Sequence, residues 1–254
     1  MSLPMLADFS IRLGGGMAAL LLFTSWKQVP AAFFRTHCQI ILGLLVLAAL
    51  VLGASPHNTL ASALTITAAV LAFGSSVAWG LGVPRAAIPL TGSIVALACV
   101  LEGWGLPGRP GSMWMLQLAG QFASAMLLGS VFTAMLLGHY YLTAPAMSIQ
   151  PLRGHVATLA VSLAARAAVA AVGLVLALGQ ARGAASSQSI PWMMLAARWG
   201  VGIAGPAVAT YLAWKTVAIR STQSATGILF VATIFVLFGE LTAITLSQQM
   251  ASLL

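Results

Sequence analysis

The sequence has very few charged residues, and nearly all of them are positive. Only 6% of its 254 residues are charged, with 11 Lys and Arg against 3 Asp and Glu. A water-soluble domain carries roughly 25% charged residues, because its surface must meet solvent. The scarcity of charge excludes a soluble globular protein of this length. Most of the surface is therefore expected to meet lipid or other protein.

Cysteine is also scarce, and the basic residues are not clustered. The two cysteines, Cys38 and Cys99, are predicted to lie on spans at opposite sides of the membrane, so we expect no disulfide. No Cys-x-x-Cys spacing is present, and no metal site is predicted. The net charge of +8 is spread along the chain. Because a phosphate-binding face needs clustered basic residues, nucleic acid is excluded as a partner.

What the sequence does contain is long apolar runs. A membrane-spanning helix needs about 20 mainly apolar residues, and a barrel strand would instead alternate in polarity over about ten. The runs are continuous and rich in Ala, Leu and Val. They predict an all-α, polytopic transmembrane helix bundle, with residues 1–254 forming a single transmembrane domain and no soluble domain. About eight spans are predicted, at 6–26, 37–53, 59–80, 86–103, 113–138, 155–179, 190–214 and 226–246.

The loops differ in their content of basic residues, and this difference predicts the orientation. Cytoplasmic loops carry an excess of Lys and Arg. The even-numbered loops contain only Arg109 and Arg182, whereas the odd-numbered loops contain Lys27, Arg35, Arg85, Arg153, Lys215 and Arg220. We therefore expect a multi-pass protein of the inner (cytoplasmic) membrane, with both termini on the non-cytoplasmic side. No cleavable signal peptide is expected before the first span.

Four charged residues, Arg12, Arg166, Arg198 and Glu240, lie well inside the predicted spans, and such residues are functional candidates. With a rise of 1.5 Å per residue, Arg198 lies about 12 Å and Glu240 about 9 Å below the outer end of their spans. The two side chains are therefore predicted to meet. Arg12 lies at a similar outer depth, and Arg166 lies closer to the midplane.

Two interpretations of this set remain open. In the first, a buried ion pair only holds two helices in register. In the second, a polar site in the outer half handles a proton or a polar head group. All three acidic residues, Asp8, Glu102 and Glu240, belong to the predicted outer half, where a carboxylate could accept protons during quinol oxidation or bind a cation.

Three histidines form a second candidate set. His37 opens the second predicted span, His139 closes the fifth and His155 opens the sixth, so all three are expected at cytoplasmic ends. Two imidazoles on different helices are what a bis-His haem b requires. The alternatives are three histidines at the level of the lipid head groups, or a metal site, for which no carboxylate or cysteine accompanies them.

The last predicted span contains the run Val236-Leu-Phe-Gly-Glu-Leu241. This run is similar to a Gly-Glu-Leu step found late in the eight-helix membrane anchors of the DMSO reductase and polysulfide reductase type. The chain resembles those anchors also in helix number, in terminus placement and in lacking a soluble domain. The resemblance implies a quinol site near the outer face, bordered by Glu240 and Arg198, and partner subunits that receive the electrons.

Three functional hypotheses follow. The first is an integral membrane subunit of a respiratory or electron-transfer complex that interacts with quinone or quinol, with haem b as a second candidate cofactor. It would act as the quinol site of an oxidoreductase complex or as a non-catalytic subunit, in contact with the lipid bilayer and other subunits. Glu240 and Arg198 are its catalytic candidates. The cofactor-binding candidates are His37, His139, His155, Arg12 and Arg166.

The second hypothesis is an ion or small-solute transporter or channel, in which the same arginine and glutamate form a coupling or gating pair. A faint four-plus-four pattern supports it. Trp79 and Arg85 close the third span as Trp214 and Arg220 close the seventh, and the fourth and eighth spans each carry a glutamate. The third hypothesis is a cofactor-free structural subunit of a membrane complex, whose buried polar residues only fix packing.

Overall fold

The computed structural model describes residues 4–54, 56–104, 106, 111–144, 147–183 and 192–249. These residues form helices and short turns, with no strand among them. The helices are α1 (Met5–Phe23), α2 (Ala31–Gly53), α3 (Thr59–Gly80), α4 (Pro84–Trp104), α5 (Ser112–Thr143), α6 (Gln150–Gly183), α7 (Trp192–Trp199), α8 (Gly205–Ala218) and α9 (Thr222–Gln249). A short 3₁₀ turn, Pro56–Asn58, precedes α3, and a π-helical turn, Gly200–Ala204, joins α7 to α8.

The prediction of an all-helical, multi-pass membrane protein is confirmed. In the described part of the chain, 7 helices are long and apolar enough to cross a membrane. Neither α7 nor α8 reaches that length alone, but helix continues without a break from residue 192 to residue 218. This continuous run, here called α7–α8, occupies the place of the seventh predicted span.

α2 and α6 begin earlier than predicted, which changes the positions of His37 and His155 within these helices. Pro30 precedes α2 with φ −60°, and Pro151 stands in the first turn of α6. Proline suits these positions, because its missing N–H would find no partner in the first turn of a helix. His37 and His155 therefore lie in the second turn of their helices. The expectation that they open their spans was wrong.

The helices pack as two similar four-helix units. In the first unit, α1 packs on α2, α2 on α3, α3 on α4, and α4 returns to α1. In the second unit, α5, α6, α7–α8 and α9 close a ring in the same order. The two units join mainly through α1 and α5.

Glycines allow α1 and α5 to pack with their backbones in contact. A Cβ on Gly16 would overlap the carbonyl group of Ala125, and a Cβ on Gly129 would overlap the backbone of Gly16. Small residues at helix contacts permit this approach and favour association in membranes. Gly202 and Gly239 make a similar contact between the π turn and α9, where a Cβ on Gly202 would stand 2.7 Å from the Cα of Gly239.

Candidate functional site

All three acidic residues of the sequence lie in one buried group with three arginines. Every side chain of this group, here called the polar cluster, belongs to a residue no more than 8% exposed. Charged groups are costly inside a bilayer, and they are normally paired and functional there. The members are Asp8 and Arg12 on α1, Glu102 on α4, Arg166 on α6, Arg198 on α7 and Glu240 on α9. Counted as ionised, the cluster is neutral.

The first part of the cluster is centred on Arg12. Its Nε donates to Oδ1 of Asp8 at 3.0 Å, and its Nη2 donates to Oδ2 at 2.7 Å. The two residues are one helical turn apart on α1, which brings their side chains together. Nε of Arg12 also lies 3.6 Å from Oε2 of Glu102. Arg12 therefore lies between two carboxylates and links α1 to α4.

The second part is a two-pronged ion pair between Arg166 and Glu240. Nε of Arg166 donates to Oε1 of Glu240 at 2.8 Å, and Nη2 donates to Oε2 at 3.0 Å. Nη1 of Arg166 reaches the carbonyl oxygen of Gly120 at 3.3 Å, and the hydroxyl of Ser124 donates to Oε2 of Glu240. The direct partner of Glu240 is thus Arg166, and not Arg198 as the depth estimate predicted.

Arg198 stands beside this pair without joining it. It is close enough to Arg166 and Glu240 to interact electrostatically with both. Its Nη2 is buried and has no hydrogen-bond partner within the described part of the chain. The π turn begins two residues after Arg198, so an irregular helical segment adjoins the unpaired donor. Such turns occur frequently at functional sites.

The two parts form one network through α5. The amide nitrogen of Gln121, in the orientation that satisfies both ends of its side chain, donates to the Glu102 carbonyl at 2.7 Å and to Oε2 at 3.1 Å. Ser124, almost one turn later on α5, holds Glu240. Arg12 also interacts electrostatically with Glu240. One face of α5 therefore connects the two glutamates.

Among its described atoms, the network contains a fully buried donor and a fully buried acceptor that have no partner. The donor is Nη2 of Arg198, and the acceptor is Oε1 of Glu102, which also has no partner among the described residues. A buried polar group left unpaired costs about 1–3 kcal/mol. A small ligand with donor and acceptor groups could satisfy such atoms. The cluster is already neutral, which suits an uncharged polar ligand better than an ion.

An apolar groove between α6 and α8 ends near the cluster. It encloses about 400 Å³ and runs from Trp214, over whose ring the Arg153 guanidinium lies at 5.0 Å, to Ala167. Ala167 follows Arg166 directly in the chain, so this end of the groove lies at the level of the ion pair along α6. Thr210 lines the groove, and its buried hydroxyl has no partner in the described chain.

Two of the three candidate histidines are buried, and the third is exposed. His37 is 1% exposed and His155 is 5% exposed, and they are close enough to interact electrostatically. His139 is exposed on α5. The described residues contain no group of three or more His, Cys, Asp and Glu side chains suited to a metal ion.

Several residues of these sites escaped the sequence analysis. Gln121 and Ser124 carry a readable signal, because two polar residues three positions apart define one face of an otherwise apolar helix. Thr24 contacts His155, but the sequence gives no comparable signal for it, since a lone threonine near the end of a span is ordinary.

No protein family, curated protein or solved structure matches this chain.

Proposed function

We propose that this chain is an integral membrane subunit of an electron-transfer complex that binds a quinone or quinol at the polar cluster. The observation that carries the proposal is the unpaired Nη2 of Arg198, buried beside the Arg166–Glu240 pair. A quinone carbonyl is a neutral acceptor, and an arginine donor next to it would be satisfied without adding charge to a neutral cluster. The resemblance to quinol-binding anchors is consistent with this assignment.

The groove between α6 and α8 suits the other half of such a ligand. Quinones of membranes carry a long isoprenoid tail, which needs an apolar channel that reaches the lipid. The groove is lined almost wholly by apolar side chains, and its end at Ala167 lies at the level of Arg166 along α6. Ligand sites of this kind combine an apolar lining with a few polar groups that fix orientation.

The carboxylates suit the proton chemistry of a quinol. Oxidation of a quinol releases two electrons and two protons, so a nearby acceptor is required. Oε1 of Glu102 is buried and unpartnered within the described chain, whereas both oxygens of Glu240 are already engaged. In this proposal Glu102 accepts a proton, Arg198 orients the head group, and Glu240 positions the arginines. In this proposal the electrons pass to partner subunits of the complex.

Removing the unpaired donor should weaken quinone binding. We expect Arg198→Gln to raise the dissociation constant of a short-chain ubiquinone about 10- to 100-fold, since a hydrogen bond from a charged group contributes about 1.5–3 kcal/mol. Binding would be measured in nanodiscs by quenching of tryptophan fluorescence, with Trp214 in the groove as the reporter. Arg220→Gln is the matched control, because Arg220 is exposed and outside the cluster. Equal affinities of the two variants, or no binding by the unmodified protein, would contradict the proposal.

The proposed orientation places the polar cluster near the non-cytoplasmic face, with both termini on that side. In a protein with Cys38→Ser and Cys99→Ser, His57→Cys should react with an impermeant maleimide in intact cells. Arg85→Cys should react only after the membrane is opened, because its loop is assigned to the cytoplasm. Both positions are exposed, so access to the reagent decides the result. The reverse pattern would reverse the orientation and move the quinone site to the cytoplasmic half.

A transporter is the second candidate, and two observations favour it. Successive helices alternate in direction, so the two four-helix units run the same way, as parallel repeats do in some transporters. The π turn at Gly200–Ala204 also makes a spanning helix irregular close to buried charges. Solute or ion movement in proteoliposomes, together with failure to bind quinone, would select this function. If the protein neither moves a solute or ion nor binds quinone, the structural-subunit hypothesis remains.

A further inference from the structure

Two basic side chains lie over the aromatic rings at one end of the groove between α6 and α8. Cζ of Arg153 is 5.0 Å from the centre of the Trp214 ring, and Nζ of Lys215 is 5.5 Å from the centre of the Tyr211 ring. Trp214 and Tyr211 both line the groove. One cation from α6 and one from α8 therefore lie at the same mouth of the groove.

Neither cation is paired with an acidic side chain of the protein. All three acidic residues of the sequence belong to the polar cluster, whereas Arg153 and Lys215 are exposed. A cation over an aromatic ring keeps its charge and its other N–H donors. Both side chains are therefore available to an anion that approaches the mouth of the groove.

The groove has the length of one lipid acyl chain. Along α6 it is lined from Val156 to Ala167, which corresponds to about 16 Å at a rise of 1.5 Å per residue. Half of the hydrocarbon core of a bilayer is about 15 Å thick. The walls are almost wholly apolar. An acyl chain of the leaflet that meets Arg153 would therefore fit along the groove.

Thr210 adds a polar group to the wall of the groove. It is 5% exposed, and its buried hydroxyl has no partner within the described chain. Thr210 lies one helical turn from Trp214, about 6 Å deeper along α8. The ester carbonyls of a glycerophospholipid likewise lie deeper than its phosphate. A rotation about χ1 would turn the hydroxyl toward such a carbonyl, to which it can donate.

We propose that the groove between α6 and α8 binds an anionic diacyl phospholipid. Its phosphate contacts Arg153 and Lys215, an ester carbonyl accepts from Thr210, and one acyl chain follows the groove toward Ala167. Basic pockets between membrane helices bind anionic head groups in this way. The lipid and the tail of a quinone would exclude each other from the groove, because it has the length of one chain. Lipid binding itself does not rest on the proposed quinone function.

A second groove shows what an ordinary lipid-facing surface lacks. It lies between α2 and α3, encloses about 420 Å³ and is lined by apolar side chains. Among the described residues that line it there is neither a cation nor an unpaired hydroxyl. Such a groove admits the acyl chains of any phospholipid. The groove between α6 and α8 adds charge complementarity at one end, so selectivity for anionic lipid is the property to measure.

The test is a titration of the purified full-length protein in detergent with single lipids, followed by native mass spectrometry. The probes are dioleoylphosphatidylglycerol, which is anionic, and dioleoylphosphatidylcholine, which has the same chains and no net charge. We expect the first phosphatidylglycerol to bind about 10- to 30-fold more tightly than phosphatidylcholine, since each of two basic residues attracts an anionic head group.

This preference should disappear when Arg153→Gln is combined with Lys215→Gln. The matched control combines Arg35→Gln with Arg85→Gln, which removes the same charge from two exposed positions in the first four-helix unit. The control should keep the preference. The proposal is overturned if the two lipids bind the unmodified protein equally, if the control loses the preference as fully, or if excess inorganic phosphate alone displaces phosphatidylglycerol.

Thr210→Val tests the depth of the lipid in the groove. It keeps the shape of the side chain and both cations but removes the donor. We expect about 3- to 10-fold weaker binding of phosphatidylglycerol, and no change for ether-linked phosphatidylglycerol, which lacks the ester carbonyls. An unchanged affinity for the ester lipid, or an equal loss for the ether lipid, would overturn the position proposed for the carbonyl.

Failure of this site and failure of the quinone site are distinguishable. Arg198→Gln should leave the preference for phosphatidylglycerol unchanged, because Arg198 belongs to the polar cluster and does not line the groove. Loss of the preference in that variant would contradict the separate lipid site. If the unmodified protein binds phosphatidylglycerol selectively but no quinone, the lipid site stands and the proposed function fails.

Discussion

Glu240→Gln should destabilise the protein by about 3–5 kcal/mol, because it removes the charge that compensates a buried arginine. Arg166 is 4% exposed, and its Nε and Nη2 both bind the Glu240 carboxylate. Glutamine preserves the size of the side chain but leaves the charge of Arg166 unbalanced, with Arg198 adding to the repulsion. The measurement is the thermal unfolding midpoint in detergent, with the monodisperse fraction on size exclusion as a second readout.

A double variant tests whether the charge, and not the shape, is responsible. Arg166→Met combined with Glu240→Leu removes both charges at once, and such apolar replacements are often neutral or stabilising. We expect the double variant to recover most of the stability lost in Glu240→Gln. If Glu240→Gln unfolds at the same temperature as the unmodified protein, the Glu240 carboxylate does not compensate the charge of Arg166.

Gly16→Ala should have the second large effect. The added Cβ would overlap the carbonyl of Ala125, which is backbone and cannot rotate away. α1 and α5 would have to move apart, and these helices join the two four-helix units. Overpacking of this kind costs about 1–3 kcal/mol and occasionally more. We expect a lower unfolding midpoint in detergent and weaker protection of α1 amides from hydrogen exchange.

Gly43→Ala provides the matched control for this substitution. Gly43 also lies inside a spanning helix, but nothing stands within 4 Å of the position of its missing Cβ. Alanine should be neutral there or stabilise α2 by about 0.5–1 kcal/mol through helix propensity. Equal losses of stability at both positions would mean that the α1–α5 contact does not depend on backbone proximity.

The sequence was sufficient for the membrane class and for the approximate spans, because long apolar runs depend only on local composition. It was insufficient for the ends of α2 and α6. Arg35 and Arg153 were assigned to loops, so the spans were expected to begin at His37 and His155, whereas the helices begin at Ala31 and Gln150. The same difference explains why both histidines were expected at the first residue of their spans and instead lie buried in the second helical turn.

The partner of Glu240 could not be read from depth alone. Arg198 and Glu240 were expected at similar depth, but depth says nothing about the direction in which a side chain leaves its helix. Arg166 reaches the carboxylate from α6, aided by the Gly120 carbonyl of α5. A pairing of this kind depends on how α5, α6 and α9 are rotated about their own axes. Packing among the helices of the second four-helix unit determines that rotation.

The neutral polar cluster has a consequence for the rest of the molecule. It contains all three acidic side chains of the sequence together with three of the 11 Lys and Arg residues. Every other Lys and Arg therefore has no carboxylate side chain in its own chain to neutralise it. Their counter-charges must come from outside, and anionic phospholipid head groups attract each such residue by about 1 kcal/mol near the surface. The fraction of anionic lipid in the surrounding bilayer therefore determines how well the positive charges outside the polar cluster are neutralised.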